Sequence, residues 1–300
     1  MADQSDLELK ELPTPSGRDQ LVAAHTSLTL IRPETGWQAI GWRELWRYRE
    51  LLYFLAWRDV KVRYKQTALG AAWAILQPAL MMVVFTIFFG RLAQVDSGGL
   101  PYPLFAFLGL LPWTFFATAI ASAGNSVVGS ERLITKVYFP RLLIPFASVG
   151  AALVDLAVAC SMLVVLLVWY GVPPSWGWLL APGVLALLTL AALGAGALLA
   201  ALNVAYRDVR YVIPFLVQLW MFATPTVYMH VGGGPEEAAA GHWLLYVNPL
   251  TGLIAAFRAA VVGSDVPAIG LLWSGGAAVL LFLAGCLYFR RVEDSFADII

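Results

Sequence analysis

Charge is what this sequence has least of. Of its 300 residues only 13% are Asp, Glu, Lys or Arg, where an ordinary soluble domain carries roughly a quarter. The 19 basic and 19 acidic residues cancel, so no overall field draws the chain to nucleic acid, and none is expected as a partner. There are two cysteines, Cys160 and Cys286, both inside apolar runs and in no CxxC or Cys/His spacing. That excludes a disulfide framework and a zinc motif and reads both as small buried side chains. The three histidines, His25, His230 and His242, form no HExxH pattern, and neither a GxSxG elbow nor a GxxxxGK[ST] phosphate loop occurs. Without convergent nucleophiles, acids or metal ligands, no catalytic, metal or cofactor site is expected in this chain. A basic segment leading straight into an apolar core is also missing at the N-terminus, so no cleavable signal peptide is read there. Residues 1–35 read as a polar tail.

What the sequence does have is apolar length: 60% of its residues are hydrophobic. About 20 mainly apolar residues in a helix span a hydrocarbon core about 30 Å thick. Six runs meet that test: Ala68 to Phe89, Leu104 to Ala123, Leu142 to Tyr170, Trp178 to Leu202, Tyr211 to Met229, and Pro267 to Phe289. Pro78, Pro112 and Pro225 fall within them and are tolerated where neighbouring helices satisfy the freed backbone. Small residues in the fourth run, at Gly194, Gly196, Ala197 and Ala200, suit close helix approach.

The basic residues set the expected orientation. Arg58, Lys61, Arg63 and Lys65 precede the first run; Arg132, Lys136 and Arg141 lie between the second and third; Arg207 and Arg210 lie between the fourth and fifth; Arg290 and Arg291 follow the sixth. Arg91 and Arg258 fall on the other side. This alternation puts both termini in the cytoplasm, which requires an even number of spans.

Two segments are neither span nor plain loop. From Gly41 to Trp57, the residues Trp42, Leu45, Trp46, Tyr53 and Trp57 recur near helical spacing among charged neighbours. This reads as an amphipathic helix at the membrane surface, with a helix packed on a partner protein as the alternative. Between the fifth and sixth runs, His242 to Val247 and Leu250 to Val262 are apolar pieces divided by Asn248 and Pro249, each too short to cross. They read either as two short re-entrant helices or as an amphipathic external loop.

Asp155 is the acid deep within a run. Such a group faces a bundle interior or watery cavity, in substrate or proton movement or as a hydrogen-bonded structural residue. No basic residue lies within a run to pair with it. Between the second and third runs, SERLITKVYFPR (Ser130 to Arg141) alternates charged and large apolar residues. It suits a helix docking into a groove of a soluble partner, or a solvated loop.

The blocks WRELWRYRELLYFLAWRDVKVRYKQTALGAAWAILQP (Trp42 to Pro78), GLLPWTFFATAI (Gly109 to Ile120), LITKVYFPRLLIP (Leu133 to Pro145), NVAYRDVRYVIP (Asn203 to Pro214) and VNPLTGLI (Val247 to Ile254) resemble, in order, the polysaccharide-export permeases of the ABC transporter superfamily. That resemblance covers nearly everything after about residue 30. It implies an all-α integral membrane protein of six transmembrane helices, with an N-terminal interfacial amphipathic helix and two short re-entrant helices before the last span. It divides the chain into a tail (1–35), the interfacial helix and entrance segment (36–67) and a six-span permease domain (68–300). It also implies a bacterial cytoplasmic-membrane permease that pairs with a second copy of itself and two copies of a cytoplasmic ATPase, which bind the ATP and Mg. The substrate implied is a lipid-linked polysaccharide, moved through a membrane whose lipids surround the chain.

The same resemblance assigns ATPase coupling to Glu131, Arg132, Lys136, Phe139, Pro140, Arg141, Arg207 and Asp208. It gives the cytoplasmic entrance to Trp46, Arg58, Arg63, Tyr64 and Lys65, and the external gate to Asn248 and Pro249. A sugar polymer has hydroxyls to hydrogen-bond and apolar ring faces to stack. Trp113, Phe115, Phe116, Trp220, Phe222 and Tyr228 are therefore candidate passage aromatics, with membrane packing as the alternative. An ABC exporter of a drug or small lipid, a membrane transferase acting on a lipid-linked sugar, and a passive channel are the other functions weighed. The missing catalytic residues weaken the transferase, and charges gathered at one face weaken the channel.

Overall fold

The structure is a computed structural model that describes residues 41–65, 67, 70, 72–95, 97–224, 226, 248–293 and 296. Contacts divide the chain into Met1–Gly36 and Trp37–Ile300, and every described residue belongs to the second unit. The described residues are helical and contain no strand.

Helices α1 (Trp42–Arg47) and α2 (Arg49–Tyr64) form the entrance segment. The expected surface helix is therefore interrupted at Tyr48 and extends about two turns past Trp57. Its apolar residues are not confined to one face: Leu55 and Val60 are buried, while Tyr53, Phe54, Trp57 and Val62 stay exposed. A helix wedged between protein and membrane has apolar neighbours on both sides, so a single apolar stripe is not required.

Among the described residues, five helices are long and apolar enough to cross a bilayer. The first comprises α3 (Ala72–Phe85) and a π-helical continuation, Thr86–Leu92. The others are α4 (Tyr102–Ser126), α6 (Leu143–Trp169), α7 (Ala181–Ala205, led by a short turn Trp176–Leu179) and α10 (Ala268–Val292). A four-residue helix, α5 (Glu131–Ile134), lies in the connection between α4 and α6.

The expected fifth span is represented by α8 (Val209–Phe222). Its 14 residues reach only about 21 Å at 1.5 Å per residue, short of a hydrocarbon core, so six full spans are not reached among the described residues. The helix ends just ahead of Thr224, which precedes Pro225, and the residue before a proline is driven out of the helical region. Of the expected re-entrant pair, His242 to Val247 lies outside the described residues, as does the candidate aromatic Tyr228. The second piece is α9 (Pro249–Val262), again 14 residues. Asn248 caps it by accepting from the Leu250 N–H, Pro249 opens its first turn, and Gly263 closes it at φ 84°. These are the start and stop signals that residue chemistry favours.

α4 is the most enclosed of the long helices and the first span the least. α4 packs on α6 and α7, and α7 on α10. The α7–α10 crossing is the tightest: a Cβ at Gly194 would strike the Leu281–Phe282 backbone, and one at Gly285 would strike the Gly194 backbone. Glycine is therefore required on both sides. Two apolar clusters result. One fills the bundle around Phe107, Phe116, Leu188 and Leu253. The other closes the arginine-rich end, where Leu55, Ile134, Phe139, Phe289 and Phe296 meet.

Candidate functional site

α2 crosses α6 near Gly150, where an added Cβ would touch that of Ala56 at 3.4 Å. The crossing is fixed by Ser148, whose Oγ donates to Asp59 Oδ2 at 3.1 Å. Beyond it, the last turn of α2 sends two long side chains along α6. The Arg63 guanidinium pairs with Asp155, the Tyr64 hydroxyl donates to the other carboxylate oxygen, and Arg63 Nη2 reaches Ser122 Oγ on α4 at 3.3 Å. Asp155 lies about 18 Å along α6 from Leu143 at 1.5 Å per residue, well inside the apolar run. Its partner comes from the entrance helix, not from another span. The pair is largely shielded, with side chains 28% and 19% exposed. Burial, and then the hydrogen bond to Asp155, push the Tyr64 phenol up to about 12.

These groups line a cavity of about 360 Å³ bounded by α2, α3, α4 and α6. Its polar lining includes Gln77, Thr118 and Ser122, and its aromatic lining includes Trp73 and Phe115. The volume lies in the range of small-molecule sites. Because Arg63 and Asp155 neutralise each other, the cavity offers hydrogen bonds and ring faces with little net charge. Of the other entrance residues, Trp46, Arg58 and Lys65 are exposed; Arg58 pairs with its neighbour Asp59 at 2.9 Å.

The connection between α4 and α6 has two sides. Phe139 and Pro140 are buried, and Arg141 donates to the Glu293 carbonyl at the end of α10. These three hold the segment to the chain. Glu131, Arg132 and Lys136 point outward, together with Val137 and Tyr138, which are 53% and 69% exposed. Sequence reasoning had not picked out Val137 and Tyr138: alternation marks the apolar residues without telling which ones turn inward. Arg207 and Asp208 are exposed at the same end, beside Tyr206. Asn203, buried just before them, donates to the Gly124 carbonyl at 2.8 Å and to Asn125 Oδ1 at 3.1 Å, tying α7 to the end of α4.

The candidate aromatics separate. Trp113 and Phe116 are buried in the core, and Phe116 meets Trp220 edge-on at 5.1 Å. Phe115 lines the cavity, and Phe222 is exposed. Phe222 belongs to an exposed stripe on α8 with Tyr211, Phe215 and Gln218. Their steps of four, three and four residues were legible in the sequence as one helical face. At the far end from the arginines, Asn248 is a hub. Its Oδ1 accepts from Trp220 Nε1 at 3.0 Å, and its Nδ2 donates to Thr224 Oγ1 at 2.8 Å and to the Ala223 carbonyl at 3.4 Å. The backbone that leaves α8 is thus satisfied by the cap of α9, as irregular chain at membrane depth requires. Pro249 is buried beside it.

The sequence has counterparts among known proteins. The O-antigen export system permease protein RfbA of Myxococcus xanthus is 32% identical over 257 residues, covering 85% of this chain and 97% of that protein. A Klebsiella pneumoniae protein of the same description is 26% identical over 254 residues, 84% of this chain and 95% of its own. The polysialic acid transport protein KpsM of Escherichia coli is 28% identical over 115 residues, 37% and 43% of the two chains. The ABC-2 type transporter family matches residues 50–262, from the entrance helix through α9. With its long apolar helices, its cavity around the Arg63–Asp155 pair and its capped short helix at the end away from the arginine cluster, this multi-pass membrane protein belongs to the ABC-2 type transporter family.

Proposed function

We propose that the chain is the permease subunit of an ATP-driven exporter of a lipid-linked polysaccharide in the bacterial cytoplasmic membrane. Two copies form the passage, two copies of a separate cytoplasmic ATPase bind ATP and Mg, and both termini lie on the cytoplasmic side. The observation that carries the reading is the neutral polar and aromatic cavity beneath the entrance helix. A sugar unit brings hydroxyls for Gln77, Thr118 and Ser122 and an apolar ring face for Trp73, and neither is rewarded in lipid. The basic residues gathered at this end support its assignment to the cytoplasm.

Coupling falls to the outward side of the loop between α4 and α6. Tyr138 and Val137 are the apolar anchors for a groove on the ATPase, Glu131, Arg132 and Lys136 form the charged rim, and Arg207 and Asp208 form a second contact. Phe139, Pro140 and Arg141 transmit the push by fixing that loop to α10. The passage is lined by the Tyr211–Phe215–Gln218–Phe222 face of α8 and by the face of α3 that carries Gln77. Both faces are exposed in the single chain, and an amide turned to hydrocarbon would lose its hydrogen bonds. Water, sugar or the second copy covers them instead. α9, with Asn248 and Pro249 at its start, is the external gate.

The test is deletion of the chain in its host, which should trap lipid-linked polymer inside the cell. A Walker-motif ATPase should copurify with the tagged chain. Normal surface polymer after deletion refutes the reading.

A further inference from the structure

Arg258 counts against the charge pattern of the sequence, since with Arg91 it lies near the end away from the main arginine cluster. It projects from α9 into a junction of three segments. Its Nη2 donates to the Thr226 carbonyl at 2.7 Å and to the Phe105 carbonyl at 3.4 Å, and its Cζ stands 3.8 Å from the centroid of the Phe105 ring. One guanidinium therefore joins the gate helix to the start of α4 and to the chain just past α8. α4 is cut away to admit it: a Cβ at Gly109 would collide with both the Thr226 carbonyl and Arg258 Nη2. The Arg258 Nε is buried without an acceptor among the described residues.

The contacts seen are to neutral carbonyls and a ring face. They hold a cation well in a dry site, but a buried donor left unpaired and a charge withdrawn from water both favour release once water arrives. We propose that Arg258 is a positioning residue of the outer gate. It fastens α9 to α4 and α8 while the passage is closed and lets go as the passage fills with water. This rests on reading α9 as the external gate.

The experiment uses the full chain with its ATPase in sealed right-side-out vesicles. Cys160 and Cys286 are replaced by alanine, and a reporter is introduced as Thr251→Cys, a position on α9 only 3% exposed. A membrane-impermeant maleimide is added outside, with or without ATP trapped inside. The parent should label slowly without ATP and faster with it. Arg258→Met should label at least about tenfold faster without ATP and gain little from ATP. Arg258→Lys should fall between, since an ammonium keeps the charge but loses the planar fork. General loosening would not produce that graded rescue together with lost nucleotide dependence.

Labelling of Arg258→Met as slow as the parent without ATP overturns the proposal. Should that variant fail to assemble, Gly109→Ala displaces the same contact with Arg258 intact; fast labelling supports the proposal, and parental labelling overturns it. A parent insensitive to ATP overturns the exporter reading, while the comparison without ATP still decides the role of Arg258.

Discussion

Replacing Asp155 by leucine should destabilise the chain through Arg63, which would be left without its counter-charge among apolar helices. Breaking a fully buried pair costs about 3–5 kcal/mol, and an exposed one is worth about 0.2–1 kcal/mol. With side chains 28% and 19% exposed, this pair belongs between those limits, at about 2 kcal/mol for the loss of Asp155. At about 2–4 °C per kcal/mol for a chain of this class of size, thermal unfolding in detergent should shift down by about 4–8 °C. Arg63→Met in the same chain removes the stranded charge and should restore at least half of that loss, because the damage lies in the unpaired ion and not in the missing contact. The assay is the melting temperature of the purified single and double variants at one detergent concentration. A double variant that melts lower by the sum of the two single shifts would refute the pairing.

Other expectations concern separate parts of the molecule. Tyr138→Ala should abolish copurification of the ATPase while leaving the melting temperature of the chain alone nearly unchanged, whereas Phe139→Ala, at 4% exposure, should cost about 3–5 kcal/mol in the chain itself. Gly285→Ala should lower stability by about 1–3 kcal/mol by forcing α10 away from Gly194, which a melting curve would register; an unchanged curve would mean the helices do not touch there. Asn248→Ala should cost about 1 kcal/mol for the cap alone and leave the Trp220 N–H without its acceptor, seen as altered tryptophan emission. Tyr64 holds its proton up to about pH 12 in the folded chain, where an ordinary tyrosine loses it near 10. Its stabilising share is thus whole below pH 10 and lost as pH rises towards 12. Tyr64→Phe should flatten the fall in melting temperature across that window.

The long helices were legible because a bilayer demands apolar length: the run Leu142 to Tyr170 became Leu143–Trp169 with little else needed. α8 was less legible, since hydropathy continues past Phe222 while the proline after Thr224 ends the helix. Asp155 is costly within its run and no span carries a basic partner for it; Arg63 arrives from a helix outside the spans. Aromatic composition drew attention to Trp113 and Phe116, which fill the core, while the face of Tyr211, Phe215 and Gln218 needed a helical projection to be seen. The direction of Phe139 depends on a cavity built from α2, α6 and α10, and no local pattern carries that information.

At the crossing of α7 and α10, main chain lies against main chain, with no side chain between Gly194 and Gly285 to bend or change rotamer. A joint of that kind has almost no play. Under the proposed coupling, a displacement applied to α10 through Arg141 and the Glu293 carbonyl would pass to α7 at this joint with little loss. The compliant parts of the protein are then the sparsely held first span and α8, whose faces carry Gln77 and Gln218.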